Sequence, residues 1–90
     1  MKYIARVEVG LKPGHIDPEG ETTKSALMEL KYPVKSVKVS KVYEITLEAK
    51  SIDDAKAIVE EMCRRLLANP VKDDYIYHVE EAEVESSDLH

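Results

Sequence analysis

From Tyr3 to Leu11 every second residue is apolar (Tyr3, Ala5, Val7, Val9 and Leu11), while Lys2, Arg6 and Glu8 fall on the alternate positions. Strict alternation at period two sends one set of side chains to each face of an extended strand, so one face here is apolar and the other polar. That pattern suits a half-buried strand of an antiparallel sheet and excludes a helix over the same residues. The chain has 90 residues, which is one domain's worth. A chain of that size buries only about 60–65% of the surface its unfolded form exposes. Whatever covers the apolar face of this strand must come from the few remaining elements.

Three further strand segments and two helical ones supply them. Gly10 to Gly20 reads as a loop through Lys12-Pro13-Gly14, closed by Asp17-Pro18. An Asp before a Pro is a helix N-cap followed by a first-turn proline, and Glu19 and Glu21 suit the positive helix end. Thr23, Ala26, Leu27 and Leu30 continue at helical spacing until Pro33 stops them. Strands are expected at Val34–Val39 and Val42–Ala49, joined by a hairpin near Ser40-Lys41, although no Asn-Gly stands there. Ser51 with Asp54 resembles a capping box opening a second helix to about Asn69. Its apolar stripe is Ala55, Ile58, Val59, Met62, Leu66 and Leu67, opposite the pairs Glu60–Arg64 and Glu61–Arg65. Pro70 ends it, and a last strand follows over Tyr75–Glu80. The order β-α-β-β-α-β predicts an α+β, ferredoxin-like domain over residues 1–80, with two helices on one face of an antiparallel sheet. The sheet's other face would present Ile4, Val42 and Ile76 among Arg6, Glu44, Thr46 and His78, which favours self-association.

Charge is distributed unevenly. Residues 1–71 carry 12 Lys/Arg against 11 Asp/Glu, whereas residues 72–90 carry one Lys against seven acids. The acidic tail over 81–90 is expected to fray, and its charge repels phosphate backbones, so no nucleic-acid partner is expected. Cys63 is the lone cysteine and cannot form an internal disulfide. The N-terminus has no apolar signal-peptide core, and no apolar run is long enough to span a membrane. A cytoplasmic protein with no membrane partner is expected.

Catalytic patterns are sparse. Gly10, Gly14 and Gly20 do not have dinucleotide or phosphate-loop spacing. His15, His78 and His90 stand apart from one another, unlike metal ligands. Asp73-Asp74 are adjacent, which sends their carboxylates to opposite sides of an extended chain. Cys63, beside Met62 on the apolar arc, reads as a buried inert thiol.

The stretch Leu67-Ala68-Asn69-Pro70-Val71, followed by Asp74-Tyr75, is the most informative in the chain. Together with Val9-x-Leu11-Lys12-x-Gly14, Asp17-Pro18-x-Gly20, Ala26-Leu27, Tyr32 and Glu44-Ile45-Thr46-Leu47, it resembles PurS, the small subunit of phosphoribosylformylglycinamidine (FGAM) synthase. The resemblance runs from about residue 3 to residue 80. Ser40 stands where the family usually has glycine, and Lys31-Tyr32-Pro33 replaces a more common Leu-Gly-Tyr.

The resemblance implies an accessory subunit, non-catalytic by itself, in an ATP-dependent amidotransferase of purine synthesis. It would bridge the glutaminase subunit (PurQ) and the synthetase subunit (PurL) for ammonia transfer, and assemble as a homodimer or homotetramer. ATP, Mg and glutamine would be used by the partner subunits, leaving no cofactor here. Lys41, Asn69, Asp74, Tyr75 and Tyr77 are the expected interface residues, since Tyr and basic side chains suit partly wet interfaces. The alternative on the same topology is an ACT-like module that binds a small ligand.

Overall fold

In the computed structural model, which describes residues 1–82, β1 (Lys2–Leu11) is the central strand of a three-stranded sheet. It pairs antiparallel with β2 (Lys41–Glu48) on one side and β3 (Asp73–Glu81) on the other. The register sets Val7 between Tyr43 and Tyr77, and Ala5 between Ile45 and Val79. One face therefore gathers the alternating apolar residues of all three strands. Tyr3, Ala5, Val7 and Val9 are buried there with Val79. The α+β class and the antiparallel sheet expected from the sequence are what form.

Helix α1 (Pro18–Glu29) starts where Asp17 caps it, with the carboxylate accepting from Gly20 N at 3.0 Å. Its end is a Schellman turn, in which Lys31 N donates to Met28 O and Tyr32 N donates to Leu27 O. Lys31 occupies the left-handed position of that turn at φ 74°. Helix α2 (Ile52–Met62) is capped by Ser51, whose hydroxyl accepts from Asp54 N at 3.1 Å. The Asp54 carboxylate reaches back to Lys50 N, one residue before the position a full capping box would use.

Three details depart from expectation. The helix over 52–69 does not stay α-helical: Cys63–Leu67 forms a π-helical turn, closed by Ala68 N donating to Cys63 O. The wider turn shifts the phase of the apolar stripe. The buried residues become Ala55, Val59, Cys63 and Ala68, and Leu66 is left 83% exposed. Second, no hairpin forms at Ser40-Lys41. Residues 33–40 run into β2 without a turn or bend, because nothing at Ser40-Lys41 favours the backbone of a tight turn. Third, α2 is the helix that packs on the sheet, against β1 and β3, whereas α1 makes no extensive packing with any strand. Residues 12–40 thus form an arm beyond the end of the sheet, and Gly20 is the residue of α1 that is buried. The acidic tail expected over 81–90 lies outside the described residues from position 83 onward; Glu81 closes β3 and Ala82 N donates to Lys2 O.

Candidate functional site

The expected interface residues fall into two groups, and one of them sits at the junction of α2 and β3. Alternation along β3 points Tyr75 and Tyr77 to the helix-covered face, with rings stacked at a centroid distance of 6.5 Å. Helix α2 brings Glu60 over them. Tyr75 donates to Glu60 Oε2 in a short contact, and Tyr77 donates to Oε1 at 2.8 Å. Arg64 Nε lies 3.4 Å from the same carboxylate, one helical turn on. Two phenols and a guanidinium favour the ionised carboxylate, so Glu60 titrates below the ordinary carboxylate range. The reciprocal effect raises Tyr75 to about 12, chiefly through its bond to Glu60, and raises Tyr77 for the same reason. The arrangement is a clamp between helix and strand. It commits the polar tips of both tyrosines inside the chain.

The second group lies at the turn into β3. Asn69 and Asp73 close this turn on each other: Asp73 N donates to Asn69 O, and Asn69 N donates to the Asp73 carboxylate, both at 2.8 Å. The Asn69 side-chain oxygen also accepts from Val71 N at 2.8 Å. Asp74 points away from Asp73 and pairs with Lys12 Nζ at 2.8 Å, tying the start of the arm to β3. The two carboxylates take different partners, Asn69 N and Lys12 Nζ. Lys12, Arg64, Pro70, Asp74 and Tyr75 border an open cleft of about 400 Å³ beside Cys63. Cys63 itself is fully buried, and burial pushes its thiol up from the ordinary range.

Lys41 stands apart from both groups. It is exposed at the first position of β2, opposite Val9. The structure thus brings Asn69, Asp74, Tyr75 and Tyr77 near the start of β3, with the two tyrosines on the helix-covered face and Asp74 on the alternate, exposed side, and leaves Lys41 across β1.

Sequence reasoning read Asp17 as a helix cap and Gly20 as part of a motif, and missed that both organise the arm. The Asp17 carboxylate accepts from Val39 N at 2.9 Å as well as from Gly20 N, which pulls the return segment against the helix start. These two amide donors, Val39 first, hold its carboxyl below the usual range. Gly20 permits the approach: a Cβ there would lie 2.5 Å from Val37 O. The Asp-Pro-x-Gly spacing was the available signal, but only the fold reveals its second partner. The sheet's outer face does carry Ile4, Val42 and Ile76 beside Arg6, Glu44, Thr46 and His78, with Val42 and Ile76 49% and 68% exposed. Among the described residues no three His, Cys, Asp or Glu cluster as metal ligands would. No helix of the described residues is long and apolar enough to cross a membrane.

Comparison with known proteins places this geometry. Residues 4–81 match the family model PurS, described as phosphoribosylformylglycinamidine (FGAM) synthase. The PurS subunit of Bacillus subtilis is 44% identical over 80 residues, which is 88% of this chain and 94% of that protein. The crystal structure of Methanocaldococcus jannaschii PurS superposes with a TM-score of 0.80 at 43% identity, over 90% of this chain and 99% of that one. A chain of the PurLQS structure from Thermotoga maritima superposes with a TM-score of 0.82 at 31% identity, over 89% of this chain and 99% of that one. Fold and length agree with these relatives, and the chain belongs to the PurS family of phosphoribosylformylglycinamidine synthase subunits.

Proposed function

We propose that this chain is the accessory subunit that joins a glutaminase (PurQ) to a synthetase (PurL), so that ammonia released from glutamine reaches formylglycinamide ribonucleotide without crossing bulk water. The observation that carries the reading is the similarity to a chain of the Thermotoga maritima PurLQS structure, spanning 99% of that chain. The chemistry makes such a subunit useful. Ammonia in water near neutral pH is mostly ammonium, which has no lone pair to attack an activated amide. A subunit that holds two active sites in register raises the local concentration of the neutral nucleophile by geometry alone.

On this reading the chain acts by its surfaces. Exposed Lys41 and the Asp74 edge of β3 are the candidate contacts with partner subunits, whereas Asn69, Tyr75 and Tyr77 shape that edge from within. ATP, Mg and glutamine belong to the partner subunits, and the assembly is cytoplasmic. The chain itself is a homodimer or homotetramer.

The test is reconstitution with a matching glutaminase and synthetase. Glutamine-dependent amidine formation is expected to fall to background when this chain is left out. Formation driven by added ammonium salt is expected to survive in the synthetase alone. Equal glutamine-dependent rates with and without the chain would overturn the proposal.

A further inference from the structure

Among the described residues, Leu66 is the most exposed large apolar side chain, at 83%. It stands eleven residues after Ala55, about three turns, so an unbroken α-helix would set both on the buried face. The wider turn at Cys63–Leu67 carries Leu66 outwards and gives the core position to Ala68 instead. Setting alanine rather than leucine in the core gives up apolar burial. A π-turn within an α-helix is rare and falls frequently at functional sites.

Val71, 77% exposed, stands on the turn that follows. Asn69 holds that turn, its side-chain oxygen accepting from Val71 N at 2.8 Å and from Lys72 N at 3.4 Å. Lys12 N donates to Lys72 O at 2.7 Å, which ties the turn to the end of β1. A backbone held this way leaves little to order on binding. Arg64, Arg65 and Lys72 stand beside the two apolar residues, all exposed, and residues 62–72 contain no acid. The neighbouring carboxylates are engaged within the chain. Glu60 accepts from Tyr75 and Tyr77, Asp73 from Asn69 N, and Asp74 from Lys12. Glu61 lies 3.9 Å from Arg65, both in solvent, which holds Arg65 only weakly. On a chain of net charge −5, this corner turns cations outwards.

We infer that the corner formed by Arg64, Arg65, Leu66, Val71 and Lys72 docks an acidic face of a partner subunit. Leu66 and Val71 are its apolar anchors, and carboxylates of the partner meet Arg65 and Lys72. The inference rests on the bridging role and names the surface for one of its contacts, continuous with the Asp74 edge of β3. Apolar anchors rimmed by exposed cations suit a protein interface, in which a few anchors carry the binding and the polar rim selects the partner. A second copy of this chain is a poor occupant, because a twofold pairing of these corners would set cation against cation. The net negative charge of the chain disfavours nucleic acid.

The experiment titrates the full chain into a fixed mixture of matching glutaminase and synthetase, with glutamine-dependent amidine formation as the readout. Leu66→Asp and Arg65→Glu are each expected to raise the half-maximal chain concentration about tenfold or more, with the plateau rate kept. Lys56→Glu, the same charge change at an exposed position early in α2, is expected to leave it unchanged. Added salt should weaken the wild-type chain more than Arg65→Glu. An unshifted midpoint for Leu66→Asp would overturn the docking surface. An unshifted Arg65→Glu, or an equal shift from Lys56→Glu, would overturn the acidic character of the partner face. A lower native mass of free Leu66→Asp would give the corner to a second copy and overturn the assignment. If Leu66→Asp does not fold, Leu66→Ala and Val71→Ala take its place with the same outcomes. A wild-type chain that supports no amidine formation at any concentration would overturn the bridging role and this inference with it. Wild-type activity with unshifted corner variants overturns the inference alone.

Discussion

Lys31 holds a backbone conformation that glycine favours. At φ 74° it closes the Schellman turn after α1, and a residue with a Cβ loses about 1 kcal/mol or more there relative to one without. Lys31→Gly should therefore raise stability, by up to about 1 kcal/mol, read as a higher urea midpoint at unchanged slope. A lowered midpoint would mean the turn is held by something else. Gly20 is the opposite case: an added Cβ would meet Val37 O at 2.5 Å, so Gly20→Ala should destabilise by about 1–3 kcal/mol.

Glu60 and its tyrosines make a pH prediction at the same scale. The folded carboxyl titrates below its ordinary value, so its stabilising share is complete above the ordinary glutamate range and is lost as pH falls through the lowered folded value. Tyr75 is raised to about 12, so its share is complete below the ordinary tyrosine value and is lost as pH rises through about 12. Glu60→Gln should flatten the acid side of the stability profile. It should also bring the highest phenolate titration, followed by absorbance, back towards the ordinary value. An unchanged phenolate titration would remove the clamp from the account. The two tyrosines were visible in the sequence as strand residues. Their partner was not, because Glu60 reads there as one half of a surface pair with Arg64, and only the crossing of α2 over β3 reveals its second role.

Among the elements, the strands were the most legible. Period two is a direct consequence of strand geometry, and Tyr3 to Val9 point where their alternation puts them. The helix starts were equally plain, since Asp17 and Ser51 cap through their own side chains. What escaped was the π-turn at Cys63–Leu67, because one extra residue per turn leaves no compositional mark. Its consequence is measurable. Val59 is fully buried and Leu66 is 83% exposed, although both belong to one helical stripe in the sequence. Val59→Ala should cost on the order of 2 kcal/mol, and Leu66→Ala within about 0.5 kcal/mol. Comparable losses from the two, in denaturant unfolding of the free protein, would contradict the π-turn.

At the level of the whole molecule, shape explains what local patterns could not. The radius of gyration is 17.1 Å, against about 12 Å for a compact domain of this length. The described residues extend 49 Å by 35 Å but only 15 Å in depth. Sequence periodicity tells which face of each element is apolar but not whose apolar face it meets. Periodicity alone therefore predicts α1 and residues 34–39 packed on their own sheet, which is not what forms. A thin, open body exposes much of its surface to partners, which fits the proposed bridging role. The native mass of a glutaminase and a synthetase mixed with and without this chain tests that role most directly. The account predicts a single species containing all three when the chain is present, and separate subunits when it is absent. A glutaminase and synthetase that assemble without it, or that stay apart in its presence, would contradict it.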